Sequence, residues 1–150
     1  MNLSKYSVLS MMLLATLCVY SSDGQSKMPE NKIKIGQQEL TVEVANTDKD
    51  RQVGLMNRKK LGAQDGMLFI FDDNRPYCMW MKNTLIPLSV AFADECGNIL
   101  NIEDMLPQTD EQHCALGNAR FALEMNKGWF EQHKISPGMR IETGLLCDGF

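Results

Sequence analysis

Alternation of polar and apolar positions opens the folded part of the chain. Lys32-Ile33-Lys34-Ile35 and Leu40-Thr41-Val42-Glu43-Val44 place apolar side chains at every second residue, the period of a strand with one buried face. Gly36-Gln37-Gln38 between them is turn chemistry, so the pair predicts a β-hairpin. Thr47-Asp48-Lys49-Asp50 then reads as a helix start, with Asp standing in for the Glu of a capping box and acids in the first turn. The helix is expected to end near Met56.

Beyond Gly66 the pattern returns to short apolar runs. Residues 67–71, 77–81, 88–92, 99–102, 121–125 and 139–143 read as strands. Turn clusters separate them, among them Asp72-Asp73-Asn74-Arg75-Pro76, Asp94-Glu95-Cys96-Gly97-Asn98 and Pro137-Gly138. Residues 107–118 read as a polar loop carrying His113 and Cys114, and 128–133 as a helical turn or two. About seven strands, two small helices and no βαβ rhythm predict a mainly β (β-rich α+β) fold, a single sandwich or distorted barrel over residues 32–145. Residues 146–150 are left as a tail.

The first segment reads as an address. Lys5 precedes a run of 13 residues, 8–20, that is apolar apart from Ser10 and Thr16, and Ser21-Ser22-Asp23-Gly24 follows. A spanning helix needs about 20 apolar residues. The segment therefore predicts a signal peptide over 1–24 and a linker over 25–31, hence an exported, periplasmic or secreted bacterial protein. An uncleaved inner-membrane anchor is one alternative. Lipidation of Cys18 is another, although Ala15-Thr16-Leu17 puts a bulky Leu before that cysteine. Cleavage leaves Cys78, Cys96, Cys114 and Cys147, enough for two disulfides with three pairings in an oxidising compartment, and Cys78 with Cys114 is one candidate pair. No C-x-x-C is present, which argues against a thioredoxin-like site or a zinc ribbon.

Composition narrows the class further. A chain of 150 residues with 44% hydrophobic and 23% charged residues is an ordinary folded domain, not a disordered or fibrous one. Its net charge of -4 supplies no concentrated basic surface, so nucleic acid is not an expected partner, nor is a membrane once the signal is removed. A small polar ligand or a protein partner remains.

Several phrases resemble one family. They are Gly54-Leu55-Met56 with Arg58, Gly66-Met67-Leu68-Phe69 with Phe71, and above all Trp80-Met81-Lys82-Asn83-Thr84-Leu85-Ile86-Pro87-Leu88. Ala122-Leu123-Glu124, Gly128 and Pro137-Gly138 complete a likeness over residues 32–143 to the domain of unknown function 192 family, also called uncharacterised protein family UPF0127. The resemblance implies a compact, mostly β domain, frequently exported in bacteria, and no established activity. The family commonly has Asp where this chain has Ser89.

The candidate chemistry gathers at residues 80–84. Lys82, Asn83 and Thr84 bring three polar groups to the end of a strand that carries Trp80, and strand ends are where a rigid sheet presents side chains to ligands. Lys82 suits an anionic group, Asn83 donates and accepts, and Trp80 stacks on a ring or sugar. The same residues equally satisfy a turn and a core. Beside such a site the resemblance places Arg58 and Glu124. The leading expectation is non-catalytic binding of a small polar or anionic ligand, sugar-like among others.

Alternatives are a hydrolase using Glu124 with Lys82, a structural or interaction domain, and a Cu(I) protein. Eight of the 11 methionines follow the signal, but Met67, Met79, Met81 and Met125 sit in strand patterns where Met fills core. Cys114 beside His113 offers a nucleophile only while its thiol stays reduced. No G-x-S-x-G, H-E-x-x-H, phosphate loop or dinucleotide fingerprint occurs, and neither catalytic residues nor a cofactor is expected.

Overall fold

The hairpin forms as its alternation predicts. In the computed structural model, which describes residues 28–144, β1 (Glu30–Ile35) pairs antiparallel with β2 (Gln38–Ala45) around Gly36. The segment 1–24 expected to be a signal peptide, the start of the expected linker, Cys18, Cys147 and the expected tail 146–150 lie outside the described residues. Helix α1 (Asp48–Val53) follows, capped by Thr47, whose hydroxyl accepts from the Asp50 N–H at 3.1 Å and donates to the Asp50 carboxylate at 2.7 Å. Six more strands follow: β3 (Gly66–Arg75), β4 (Cys78–Met79), β5 (Leu88–Ala93), β6 (Ile99–Met105), β7 (His113–Cys114) and β8 (Ala119–Asn126). Helix α2 (Trp129–Gln132) and strand β9 (Ile141–Glu142) complete the described chain.

Seven strands form one sheet in the order β6-β5-β8-β3-β2-β1-β9. It curls into a half-barrel, mostly β with two short helices, as the sequence predicts. Its two edges meet at one end. Ile99 N–H donates to Met139 O at 2.8 Å, Ile141 N–H to Gly97 O at 2.9 Å, and Gly138 N–H to Ile99 O at 2.8 Å. The barrel interior holds Ile33, Ile35, Leu40, Val42, Leu68, Leu123, Met125 and Ile141, and α2 contributes Trp129 and Phe130 to it.

The expectation of no βαβ element needs correction. β2 and β3 are parallel neighbours, with Glu43 opposite Met67 and Ala45 opposite Phe69, so α1 and the loop after it form a crossover. Helix α1 buries none of its six residues. It therefore carries no apolar stripe from which a crossover could be read. β3 also runs through Arg75, past the turn expected at residues 72–76. A register shift between Ile70 and Arg75 carries it to a last pairing with Ala119. The strand expected at 77–81 shrinks to β4, and the expected polar loop contains its partner β7.

β5, β8 and the first six residues of β3 are buried on both faces, whereas β3 is exposed from Asp72 to Arg75. Beneath their outer face lies a second core of Met67, Phe69, Phe71, Met81, Leu88, Val90, Phe92, Met105 and Ala122. The small β4–β7 sheet shelters this side, with Tyr77, Met79 and Ala115 packed on the same cluster. Met67, Met81 and Met125 are fully buried, acting as core filler.

Gly66, at the start of β3, sits where no side chain fits. A Cβ there would stand 2.3 Å from Met125 Sδ and 2.7 Å from the Glu124 carbonyl oxygen. The sulfur can move, but the β8 backbone cannot without loss of pairing. Gly66→Ala is therefore expected to destabilise the domain by about 1–3 kcal/mol, the usual cost of overpacking. Urea denaturation of the two proteins checks it.

Candidate functional site

A cleft of about 590 Å³ opens on the outer face of the sheet, within the size range of small-molecule sites. β3 and β8 supply Phe69, Phe71 and Glu124. The α1 side supplies Asp48, Arg51, Leu55 and Met56, and the β4 segment supplies Tyr77, Cys78, Met79, Trp80 and Thr84. The α1 side reaches this position through Gly54, which ends the helix at φ 47. A Cβ there would meet Phe69 at 3.2 Å, in a backbone conformation that L residues rarely adopt. Gly54-Leu55-Met56 is thus a device for laying the loop along the cleft.

The opposite wall is tied down by a disulfide. Cys78 and Cys114 face each other across β4 and β7 and are bonded, so Cys114 is not available as a nucleophile. The Ala115 N–H donates to Tyr77 O at 2.8 Å and the Met81 N–H to Thr109 O at 3.2 Å, extending the seam on both sides. Tyr77 stacks on Phe71 with centroids 3.8 Å apart. Trp80 is 48% exposed, leaving much of its ring at the surface beside the cleft.

Glu124 is the electrostatic anomaly. Its residue is 4% exposed, and burial alone pushes its pKa up to about 8. Neither a charge nor a hydrogen bond contributes to that shift. Register explains how unusual this is. Glu43 on β2 stands opposite Met67 on β3, and Met67 opposite Glu124 on β8. Glu124 in turn stands opposite Val90 on β5, and Val90 opposite Glu103 on β6. Three glutamates therefore share one row on one face. The outer two are satisfied: Arg58 grips Glu43 with two bonds of 2.6 and 2.7 Å. Glu103 takes His113 Nδ1 at 2.9 Å and Asn101 Nδ2 at 3.1 Å. The middle one, at the cleft, has no such partner among the described residues.

Of the six residues predicted for the site, the structure brings Trp80, Thr84 and Glu124 together in the cleft lining. Lys82, Asn83 and Arg58 are not in it. Lys82 is exposed, its ammonium 5.2 Å from the Trp80 ring centroid. Asn83 takes a left-handed turn conformation at φ 59, and its carbonyl accepts from the Asn57 N–H at 2.9 Å. Arg58 clasps the loop after α1 onto β2. Removing it strands Glu43, whose side chain is 15% exposed. Arg58→Ala is accordingly expected to cost about 2 kcal/mol in thermal or chemical denaturation.

The sequence reading missed Arg51, Phe71, Tyr77 and Met79 as lining residues. Arg51 is fully engaged, with bonds to Asp48 at 2.5 Å, Asp72 at 2.6 Å, Ile70 O at 2.7 Å and Asn46 O at 3.0 Å. Ser89, the departure from the family pattern, lies on the other face of the sheet. Its cross-strand neighbour Met125 and the adjacent Ala91 point into the barrel. There it accepts from the Gly128 N–H at 2.8 Å and donates to Asp104, so it fastens α2 to the sheet and does not touch the cleft.

Among the described residues no helix is long and apolar enough to cross a membrane. No curated protein matches the chain significantly. Two solved structures are similar to it. A protein from Sinorhizobium meliloti 1021, described as a candidate transcription regulator, is 33% identical with a TM-score of 0.78, over 82% of this chain and 100% of its own. A protein of unknown function from Novosphingobium aromaticivorans DSM 12444 is 28% identical with a TM-score of 0.73, over 86% of this chain and 94% of its own. With Gly54, Trp80 and Thr84 of its shared phrases lining one cleft, and the family model matching residues 31–143, the chain belongs to the DUF192 family, described as Uncharacterized ACR, COG1430.

Proposed function

We propose that this domain is a non-catalytic binding module. Its cleft takes a small ligand whose apolar body lies against Phe71, Met79 and Trp80 and whose polar group meets Glu124. One observation carries this reading: an acid with no partner among the described residues, 4% exposed, lines an open cleft on a rigid sheet. Burying a carboxyl without a partner costs free energy that an apolar residue at the same place avoids. A position serving stability alone has no reason to hold it, and perturbed acids in clefts mark functional sites.

The lining favours a neutral polar or cationic ligand over an anionic one. Its single cation, Arg51, is occupied by two aspartates and two carbonyls. The hydrolase alternative loses its second group, because Lys82 lies over Trp80 outside the lining. The description of the Sinorhizobium meliloti protein finds no support in this chain, whose net charge is -4 and whose Arg51 and Arg58 are held by acids. The disulfide fits work in an oxidising, exported setting.

The test is a thermal-shift screen of the mature domain against neutral polar, cationic and anionic small molecules, beside Trp80→Ala and Glu124→Gln. A ligand at 100 times its dissociation constant adds about 2.7 kcal/mol. The reading requires a shift that weakens in both variants. A shift of equal size in all three proteins would place binding elsewhere and overturn it.

A further inference from the structure

Resting on that reading, we infer that the ligand of the cleft is an organic cation, an amine or guanidine on an apolar body, whose N–H groups donate to Glu124 while its chain lies along Trp80 and Phe71. The row of glutamates is the model for this within the protein itself. Glu43 is answered by the guanidinium of Arg58 and Glu103 by the imidazole of His113. Glu124, between them, faces open space instead of a side chain. A ligand nitrogen completes the row.

The walls suit a cation as well. Phe69, Phe71, Tyr77 and Trp80 bring four rings to the cleft, and aromatic faces attract positive charge. Two of them already hold it: Arg75 lies 4.6 Å from the Tyr77 centroid and Lys82 5.2 Å from that of Trp80. Trp80 remains 48% exposed with Lys82 in place, so ring surface is left for a ligand.

Binding an ammonium requires the carboxylate form. The O–H bond of Glu124 breaks, its proton passes to solvent, and the ligand N–H donates to the oxygen left behind. With a pKa of about 8 the acid is protonated at neutral pH, so this step costs about tenfold in affinity at pH 7. A charge-assisted hydrogen bond is roughly twice as strong as a neutral one, and a desolvated cation over a ring adds to it, which together offset that cost. Other titratable groups near the cleft are Asp48 and Arg51 of α1, paired to each other, and the Glu43–Arg58 and Glu103–His113 pairs of the flanking strands. None of them contributes to the shift at Glu124.

The experiment is a titration of the mature domain, followed by amide and indole chemical shifts, with phenethylamine and benzylguanidine. Each is run beside its neutral twin, phenethyl alcohol and benzylurea, at pH 6 and pH 7. The expected result is binding at the Trp80 indole and Glu124 amide that tightens about tenfold from pH 6 to pH 7 for the cations. The neutral twins bind more weakly and do not tighten. In Glu124→Gln the cations lose at least tenfold and the pH dependence disappears, which separates Glu124 from His113 as the titrating group. Neutral twins that bind as tightly as the cations, with flat pH dependence, would overturn the cation while leaving the cleft a binding site. Shifts confined to residues outside the cleft, or none with any of the four probes, would overturn both. Tightening that survives in Glu124→Gln would overturn the pairing with this acid.

Discussion

Replacing the disulfide by Cys78→Ser/Cys114→Ser is expected to lower the stability of the domain by about 4 kcal/mol. The bond closes a loop with a sequence separation of 36, and the loop-closure entropy it removes from the unfolded chain corresponds to that figure. For a domain of this size such a loss is a fall of roughly 15 °C in melting temperature. The effect has a local component. β4 and β7 are two residues each, a ladder too short to persist in water unaided. Without the bond, the wall formed by residues 77–80 keeps the backbone bonds of Ala115 and Met81, the Tyr77–Asp73 hydrogen bond, the Tyr77–Phe71 stack and the packing of Tyr77 and Met79 on the core, but no covalent tie to β7. Hydrogen exchange at Ala115 and Met81 is therefore expected to accelerate far more than at Leu68 or Leu123 in the sheet centre. Calorimetry and exchange on the double variant check both parts. A loss below 1 kcal/mol, or uniform acceleration across the sheet, would refute this account of the wall.

What the sequence disclosed of this architecture follows from where each element meets water. The β1–β2 hairpin is legible because Lys32, Lys34 and Thr41 face solvent while Ile33, Ile35 and Val42 face the core, giving clean alternation. β5 is legible as a run, since all six of its residues are buried. β4 and β7 are not, because two-residue strands carry no period and exist only through pairing between distant segments. The parallel β2–β3 contact is hidden for the same reason: α1 is too short and too exposed to advertise a crossover.

The site was half legible. Trp80 and Thr84 stood out at a strand end, and they line the cleft. Lys82 and Asn83 shared that signal but are spent on an exposed turn, which chain spacing alone does not distinguish from a site. Arg58 and Glu124 came from family likeness. A purely physical signal for Glu124 was nevertheless available. It is the one acid in Phe121-Ala122-Leu123-Glu124-Met125, a run apolar enough to be buried on both faces. Glu43 and Glu103 gave no such warning: Glu43 alternates with Val42 and Val44 beside Thr41 and reads as the wet face of a hairpin, and Glu103 next to Asp104 reads as solvated surface. Only the register, which sets both in one row with Glu124, exposes their relation.

That row leads to the second large effect. The folded-state pKa of Glu124, about 8, lies above the ordinary carboxyl value of 4.5. Between these values the folded protein keeps a proton that the unfolded chain releases, so stability declines as pH rises. The favourable contribution is complete below about pH 4.5 and has been lost once pH passes 8. The slope approaches 1.4 kcal/mol per pH unit, which makes the domain roughly 3–4 kcal/mol less stable at pH 8 than at pH 5 from this residue alone. Glu124→Gln keeps the shape and removes the titration. The variant should therefore match the native domain near pH 5, exceed it by several kcal/mol at pH 8, and show no decline of its own from this source. Urea midpoints across that interval decide the matter. If both proteins lose stability in parallel, the acid has found a partner or water that burial hides, and the vacancy in the middle of the glutamate row is already filled. If the curves diverge as expected, the protein is carrying an energetic cost at neutral pH for a group that the described side chains leave unanswered, and that cost is what a cation entering the cleft would relieve.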